Sequence, residues 1–138
     1  MKHKTSALAL LKQHEGFEQF PYADSLGTLT IGYGRNLQAR GLAEHEASYL
    51  LEHDIDLAEK YLGAYDYYVE LSGYRKAVLI DMMVNMGPSR LAKFIRMHAA
   101  LLNRDYELAA LEMLDSKWAG QVGQRALTLS KVMKAGVL

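Results

Sequence analysis

A chain of 138 residues with no cysteine, half of it apolar, has material for one packed core and no disulfide to staple it. Its 16 basic and 16 acidic residues cancel, which argues against bulk nucleic-acid binding. No apolar run reaches the roughly 18–20 residues that cross a bilayer, and residues 7–11 are too few for the apolar part of a signal peptide, so stable membrane insertion and a secretory leader are not expected.

The predicted elements, in chain order, begin with a helix capped by Thr5 or Ser6 and running to about His14. Ala7, Leu8, Leu10 and Leu11 supply a stripe expected to be buried, and Gly16 ends the helix. Residues 17–36 read as strands and turns. Phe17, Phe20, Tyr22, Leu29, Ile31 and Tyr33 are strand formers, Asp24-Ser25-Leu26-Gly27 is turn chemistry, and Gly32 and Gly34 mark close approach of backbone or ligand. A helix from about Ala43 to Leu62 follows, with Ala47, Leu50, Leu51, Ile55, Ala58 and Leu62 three and four apart; twenty residues span about 30 Å. Tyr65, Tyr67 and Tyr68 fit a packed helix corner better than a sugar platform. Residues 77–86 are apolar nearly all round, which predicts a central buried helix closed by Gly87-Pro88. Shorter helices are expected at about 91–102, 105–114 and 122–134. This order predicts an α+β fold.

Charge is unevenly spread. Residues 42–70 hold eight acids against Lys60, whereas from residue 116 onward Lys117, Arg125, Lys131 and Lys134 meet no acid. A solvated helix face explains both blocks; a basic surface for an anionic polymer is the sharper alternative.

Two carboxylates, Glu15 and Asp24, flank the Tyr- and Gly-rich stretch, one at a helix end and one in a tight hairpin. Hydrolysis by general acid and base needs two carboxyl groups in different surroundings facing one bond. Taken singly, Glu15 is a helix-end surface acid, Asp24 a turn residue and Thr30 an ordinary strand threonine; their joint spacing points to chemistry. His3, His14, His45, His53 and His98 have no metal-ligand spacing, and His14-Glu15 does not open an H-E-x-x-H motif. The seven methionines read as core filler.

The pattern E-G-x7-D-x5-T-x-G-x-G, here Glu15-Gly16, Asp24, Thr30, Gly32 and Gly34, resembles the signature of the phage T4-type lysozymes, the endolysin muramidases. The resemblance continues through Asn85-Met86-Gly87 at the end of the apolar helix, Phe94, Ser116-Lys117-Trp118 and Gln124-Arg125. It implies one lysozyme-like domain over residues 1–138. A small β lobe of about 15–40 is joined by a helix of about 43–62 to a helical lobe of about 63–138, which also takes the N-terminal helix. The expected cleft lies between the lobes with Glu15 and Asp24 at its floor.

The same resemblance implies hydrolysis of the β-1,4 bond between N-acetylmuramic acid and N-acetylglucosamine in peptidoglycan, with inversion and without metal or cofactor. Glu15 matches the general acid, Asp24 the carboxylate that orients or activates water, and Thr30 the hydroxyl that helps hold it. Gly34, Val84 and Asn85 are candidate substrate-binding residues. Arg125 matches an arginine that supports the acid, and Trp118 is taken mainly as core. Implied partners are the glycan strands of peptidoglycan, with no nucleic acid. The protein is expected to be a monomer in the cytoplasm of an infected bacterium, released to the wall through a holin lesion.

Some residues depart from the family. Arg35 stands where many members carry His and cannot titrate near neutrality. Val84-Asn85 stands where relatives carry a larger apolar residue and Gln. The interlobe stretch is short, which predicts a β lobe lacking a strand or loop. Alternatives are a lytic transglycosylase, which positions no water and so has no use for Asp24 and Thr30, and a non-catalytic glycan-binding or virion module, which would not need the acids.

Overall fold

The computed structural model describes residues 1–138 and is α+β: nine α-helices and one three-stranded antiparallel sheet near the N-terminus. It divides into two compact units, residues 1–49 and 50–138.

In the first unit, helix α1 covers Lys2–Glu15 and ends where Gly16 takes a positive φ of 69°, its N–H still bonded to the Lys12 carbonyl. The expected cap is corrected. The helix starts at Lys2, ahead of Thr5 and Ser6, and Thr5 lies inside it with its hydroxyl donating to the Met1 carbonyl. The expected buried stripe is also corrected, because Leu8, Leu10 and Leu11 are each more than half exposed. A short sheet gives these residues no second layer of their own unit to bury against.

Strands β1 (Glu18–Ala23), β2 (Leu29–Gly32) and β3 (Arg35–Asn36) pair in sequence order, with Tyr22 opposite Thr30, Thr30 opposite Asn36, and an irregularity in β1 between Glu18 and Tyr22. A four-residue helix that the sequence did not suggest, α2 (Leu37–Arg40), follows; the Asn36 side chain caps it by accepting from the Ala39 N–H. Helix α3 spans Glu44–Leu62, as the periodicity predicts. Only Ala58 and Leu62 of its stripe are buried, Ile55 is half-buried, and Ala47, Leu50 and Leu51 are exposed. At its start Glu46 accepts both the Ala43 N–H and the Arg35 guanidinium, at 2.8 and 2.6 Å.

The second unit holds the core. Helix α4 (Gly73–Met86), capped by Ser72, buries Val78, Leu79, Met82, Met83 and Met86, and Gly87 at φ 85° ends it. The segment expected to be buried all round keeps one wet side, where Asp81 is half-buried and Val84 and Asn85 are exposed. The helix expected at 91–102 is two, α5 (Pro88–Ala92) and α6 (Ile95–Leu102), with Pro88 at the start of α5. Then come α7 (Tyr106–Leu114), α8 (Lys117–Val122) and α9 (Gln124–Ala135), with Asp105 and Ser116 capping α7 and α8. Leu62, Leu79, Met82, Leu91, Met97, Leu101, Met113 and Met133 are essentially sealed from solvent, so methionine is core filler here.

The end of α9 is held from a distance. Arg75 donates to the carbonyls of Met133 and Lys134, at 2.7 and 2.9 Å, and its guanidinium lies over the Tyr106 ring at 3.7 Å. A side chain at Gly136 would strike that guanidinium. Tyr67 and Tyr68 are buried and Tyr65 stacks on His98, which places the tyrosine cluster in a packed corner. No helix is long and apolar enough to cross a membrane.

Candidate functional site

Glu15 closes α1 and is exposed. The partial negative charge of a helix C-terminus makes that position unfavourable for an acid, so the helix gains nothing from it. The carboxyl packs instead on the turn between β2 and β3. A Cβ added to Gly34 would sit 2.6 Å from the Glu15 carboxyl carbon, closer than real contacts allow. Gly34 also has a φ of 70°, so both its backbone and its neighbour require glycine. Tyr33 fixes the approach: its ring lies 5.6 Å from that of Phe17, and the Lys12 ammonium is over it at 5.3 Å.

Asp24 is half-buried at the start of the β1–β2 turn. Its Oδ1 accepts the N–H groups of Leu26 and Thr28, at 2.9 and 2.8 Å, while Oδ2 has no protein partner. Thr30 is buried, and its hydroxyl donates to the Thr28 carbonyl at 2.9 Å. That carbonyl also accepts the Asp24 N–H. Thr28 therefore ties the two candidates together, and no sequence signal had singled it out. With its proton committed, the Thr30 oxygen can meet a water only as an acceptor.

Arg35 does not face an open site. It donates to the Gly41 carbonyl and pairs with Glu46, whose carboxyl is held below its usual range by the Ala43 N–H first and the guanidinium next. A His in that position could not make the same always-charged fork.

The remaining candidates lie in the second unit. Val84 and Asn85 are neighbours on the wet side of α4. Trp118, almost fully buried, donates its indole N–H to Asn85 Oδ1 at 2.8 Å and packs edge-on against Phe94. The bond fixes the amide so that the Asn85 NH2 remains free to donate. Arg125 binds Asp81, with Nε and Nη2 both on Oδ1 at 2.8 and 2.7 Å. Lys134 pairs with Glu107, so two of the four cations after residue 116 have acidic partners from earlier helices. The acid-free block seen in the sequence is thus not a uniform basic face.

His98, on α6, joins the tyrosine corner. Its Nε2 is 2.8 Å from the Leu91 carbonyl and its Nδ1 is 2.6 Å from the Tyr67 hydroxyl. The assignment that satisfies both is Nε2–H donating and Nδ1 accepting, a neutral ring. Burial favours that form and pushes the imidazole below its usual range. No group of three or more His, Asp and Glu side chains has the arrangement to hold a metal ion.

The site residues thus form two sets. Glu15 with Gly34, and Asp24 with Thr30, stand on the first unit, within one helix end and one hairpin. Asn85 with Trp118, and Arg125 with Asp81, stand on the second. No curated protein matches the chain. The family model described as phage lysozyme matches residues 12–134, from the last turn of α1 to the last turn of α9, and the chain belongs to that family of peptidoglycan-degrading enzymes.

Proposed function

We propose that the chain is an endolysin muramidase that hydrolyses the β-1,4 bond between N-acetylmuramic acid and N-acetylglucosamine with inversion. Glu15 is the general acid, which gives its proton to the leaving glycosidic oxygen. Asp24 accepts one proton of the attacking water and Thr30 accepts a hydrogen bond from the other. Such a water keeps its lone pair for the anomeric carbon. The observation that carries this reading is the Thr28 tie, which locks one Asp24 oxygen, leaves the other without a protein partner and turns Thr30 into an acceptor. A transglycosylase would have no use for that pair, since no water attacks.

An inverting pair needs about 6.5–9.5 Å between carboxyls to admit the water. Gly34 lets the acid lie against the backbone, and Val84 and Asn85 contact the glycan from the second unit, Asn85 by its free NH2. Arg125 supports that unit's wall through Asp81. The enzyme works as a monomer, without metal or cofactor, on wall reached from the host cytoplasm through a holin lesion.

The test is Glu15→Gln on cells with a permeabilised outer membrane, with circular dichroism to confirm folding. The amide keeps the shape but has no proton to give, and general acid catalysis is worth about 10²–10⁴-fold. Near wild-type lysis by a folded variant would remove Glu15 from the mechanism. Early proton NMR of a soluble glycan should show the α-anomer first. An initial β-anomer, or a 1,6-anhydro end, would overturn inverting hydrolysis.

A further inference from the structure

The second unit carries a groove of about 520 Å³ that runs between α5, α6 and the start of α8. Its floor is apolar, from Met86, Phe94, Met97 and Trp118, and its rim carries Arg90, Lys93, Arg96 and Lys117. None of these four cations has a carboxylate within ion-pair distance; Arg90 donates only to the Gln121 side-chain oxygen. The other arginines of this unit are all engaged. Arg75 holds the end of α9, Arg104 binds Glu70 and Arg125 binds Asp81. The two arginines of this unit without a carboxylate partner, Arg90 and Arg96, therefore stand at one concave place together with Lys93 and Lys117. Two acids, Glu112 and Asp115, share the rim.

The groove adjoins the residues to which glycan contact is assigned above. Met86 follows Asn85 in α4, and Trp118 both lines the groove and holds the Asn85 amide. Glycan contact at Asn85 would therefore place the strand beside this groove. The branch of the wall polymer is a short peptide with small apolar side chains, several carboxylates and an amine. A floor for methyl groups, four free cations and two acids match that mixture. A polyphosphate would meet the same two acids as repulsion.

Resting on the hydrolase reading, we propose that Arg90, Lys93, Arg96 and Lys117 are specificity-determining residues that favour wall whose peptide branches keep free carboxylates over wall in which they are amidated. Charge-assisted hydrogen bonds to carboxylate are lost on amidation, because an amide offers a neutral oxygen and two donors that meet only donors.

The experiment uses the full chain and three soluble peptidoglycan preparations: native, carbodiimide-amidated, and stripped of peptide by an amidase. At physiological salt, wild type should cleave native material about tenfold faster than amidated, the size expected for a few partly exposed charged contacts. The variant Arg90→Gln, Lys93→Gln, Arg96→Gln, Lys117→Gln should lose that preference and match wild type on stripped glycan. A control losing the same charge elsewhere, Lys2→Gln, Lys4→Gln, Lys60→Gln, Lys131→Gln, should keep it, which separates the groove from general attraction to the wall. A wild type indifferent to amidation, or a groove variant as selective as wild type, overturns the proposal. A second readout needs no catalysis. Trp118 is the sole tryptophan, so a synthetic stem tetrapeptide should change its emission at lower concentration when its carboxylates are free. Failure of Glu15-dependent cleavage on every substrate would sink the hydrolase reading, and the titration would still decide the groove.

Discussion

The two units are held by different means. Residues 50–138 bury a continuous set of side chains from six helices and part of α3, whereas residues 1–49 bury one, Thr30. The first unit keeps its shape through hydrogen bonds, glycines with positive φ and a few ring contacts. The second keeps its shape by packing. The candidate acid, the candidate water-holding pair and their supports all stand on the unit with almost no core. Geometry there is set by directional bonds to particular atoms, which hold position well and contribute little to stability.

The sharpest break of this contrast is a pair of truncations. Leu79→Ala in the sealed core should cost about 2–5 kcal/mol, while Phe20→Ala on the exposed strand β1 should fall within about 0.5 kcal/mol. Urea unfolding followed by circular dichroism measures both. Equal costs would mean that the first unit hides a core of its own. Next in size is Gly34→Ala. The added methyl displaces the Glu15 carboxyl, so lysis should fall by about 100-fold, the scale of losing a positioned acid, while the side chain at positive φ should also cost about 1–2 kcal/mol of stability. A fall in stability without loss of lysis would make Gly34 a turn residue only.

Asp24 tests the two roles of one side chain. Asp24→Asn keeps an oxygen for the Leu26 and Thr28 N–H groups, so their hydrogen-exchange protection should persist while lysis is lost. Asp24→Ala should lose both, at about 1–3 kcal/mol for the orphaned donors. Retained lysis in Asp24→Asn would leave the residue as a turn former. The smallest effect concerns pH and belongs to the packed unit. His98 is held neutral by burial, so its folded-state value lies below the ordinary 6.5. Its contribution is complete above that ordinary value and is lost as pH falls through the folded-state one. The thermal midpoint should therefore decline on acidification below about 6.5, and His98→Gln should flatten that decline. Glu46 is lowered too, but its contribution is lost only in the carboxylate range, well below this window. An unchanged slope in the variant would assign the acid sensitivity elsewhere.

Legibility in the sequence follows sequence distance. The helix stop at Gly16, the turn at Asp24 and the glycine alternation around Tyr33 are local, so their signals sit within a few residues. Helix α4 is legible from its near-continuous apolar run. The break at Lys93-Phe94 is not, because Leu91, Phe94, Met97 and Leu101 keep three- and four-residue spacing across it. Helix α2 is too short for any period. Periodicity also shows that Leu8, Leu10 and Leu11 share a side of α1, but not whether anything covers it. Among the candidate residues, the contact between Gly34 and Glu15, the pairing of Asn85 with Trp118 and that of Asp81 with Arg125 join residues 19, 33 and 44 positions apart. Nothing local to either partner announces them.

The reach of Arg75 sets an order of events during synthesis. The carbonyls that it binds belong to residues 58 and 59 positions later, and Gly136 must pass beneath its guanidinium. A ribosome adding about 5–20 residues per second leaves α4 exposed for several seconds before its closing partner is made. Until then α4 has no α9 to pack against. The helical core is thus completed late, and a nascent chain stalled before Gly136 would present this apolar helix to chaperones and proteases.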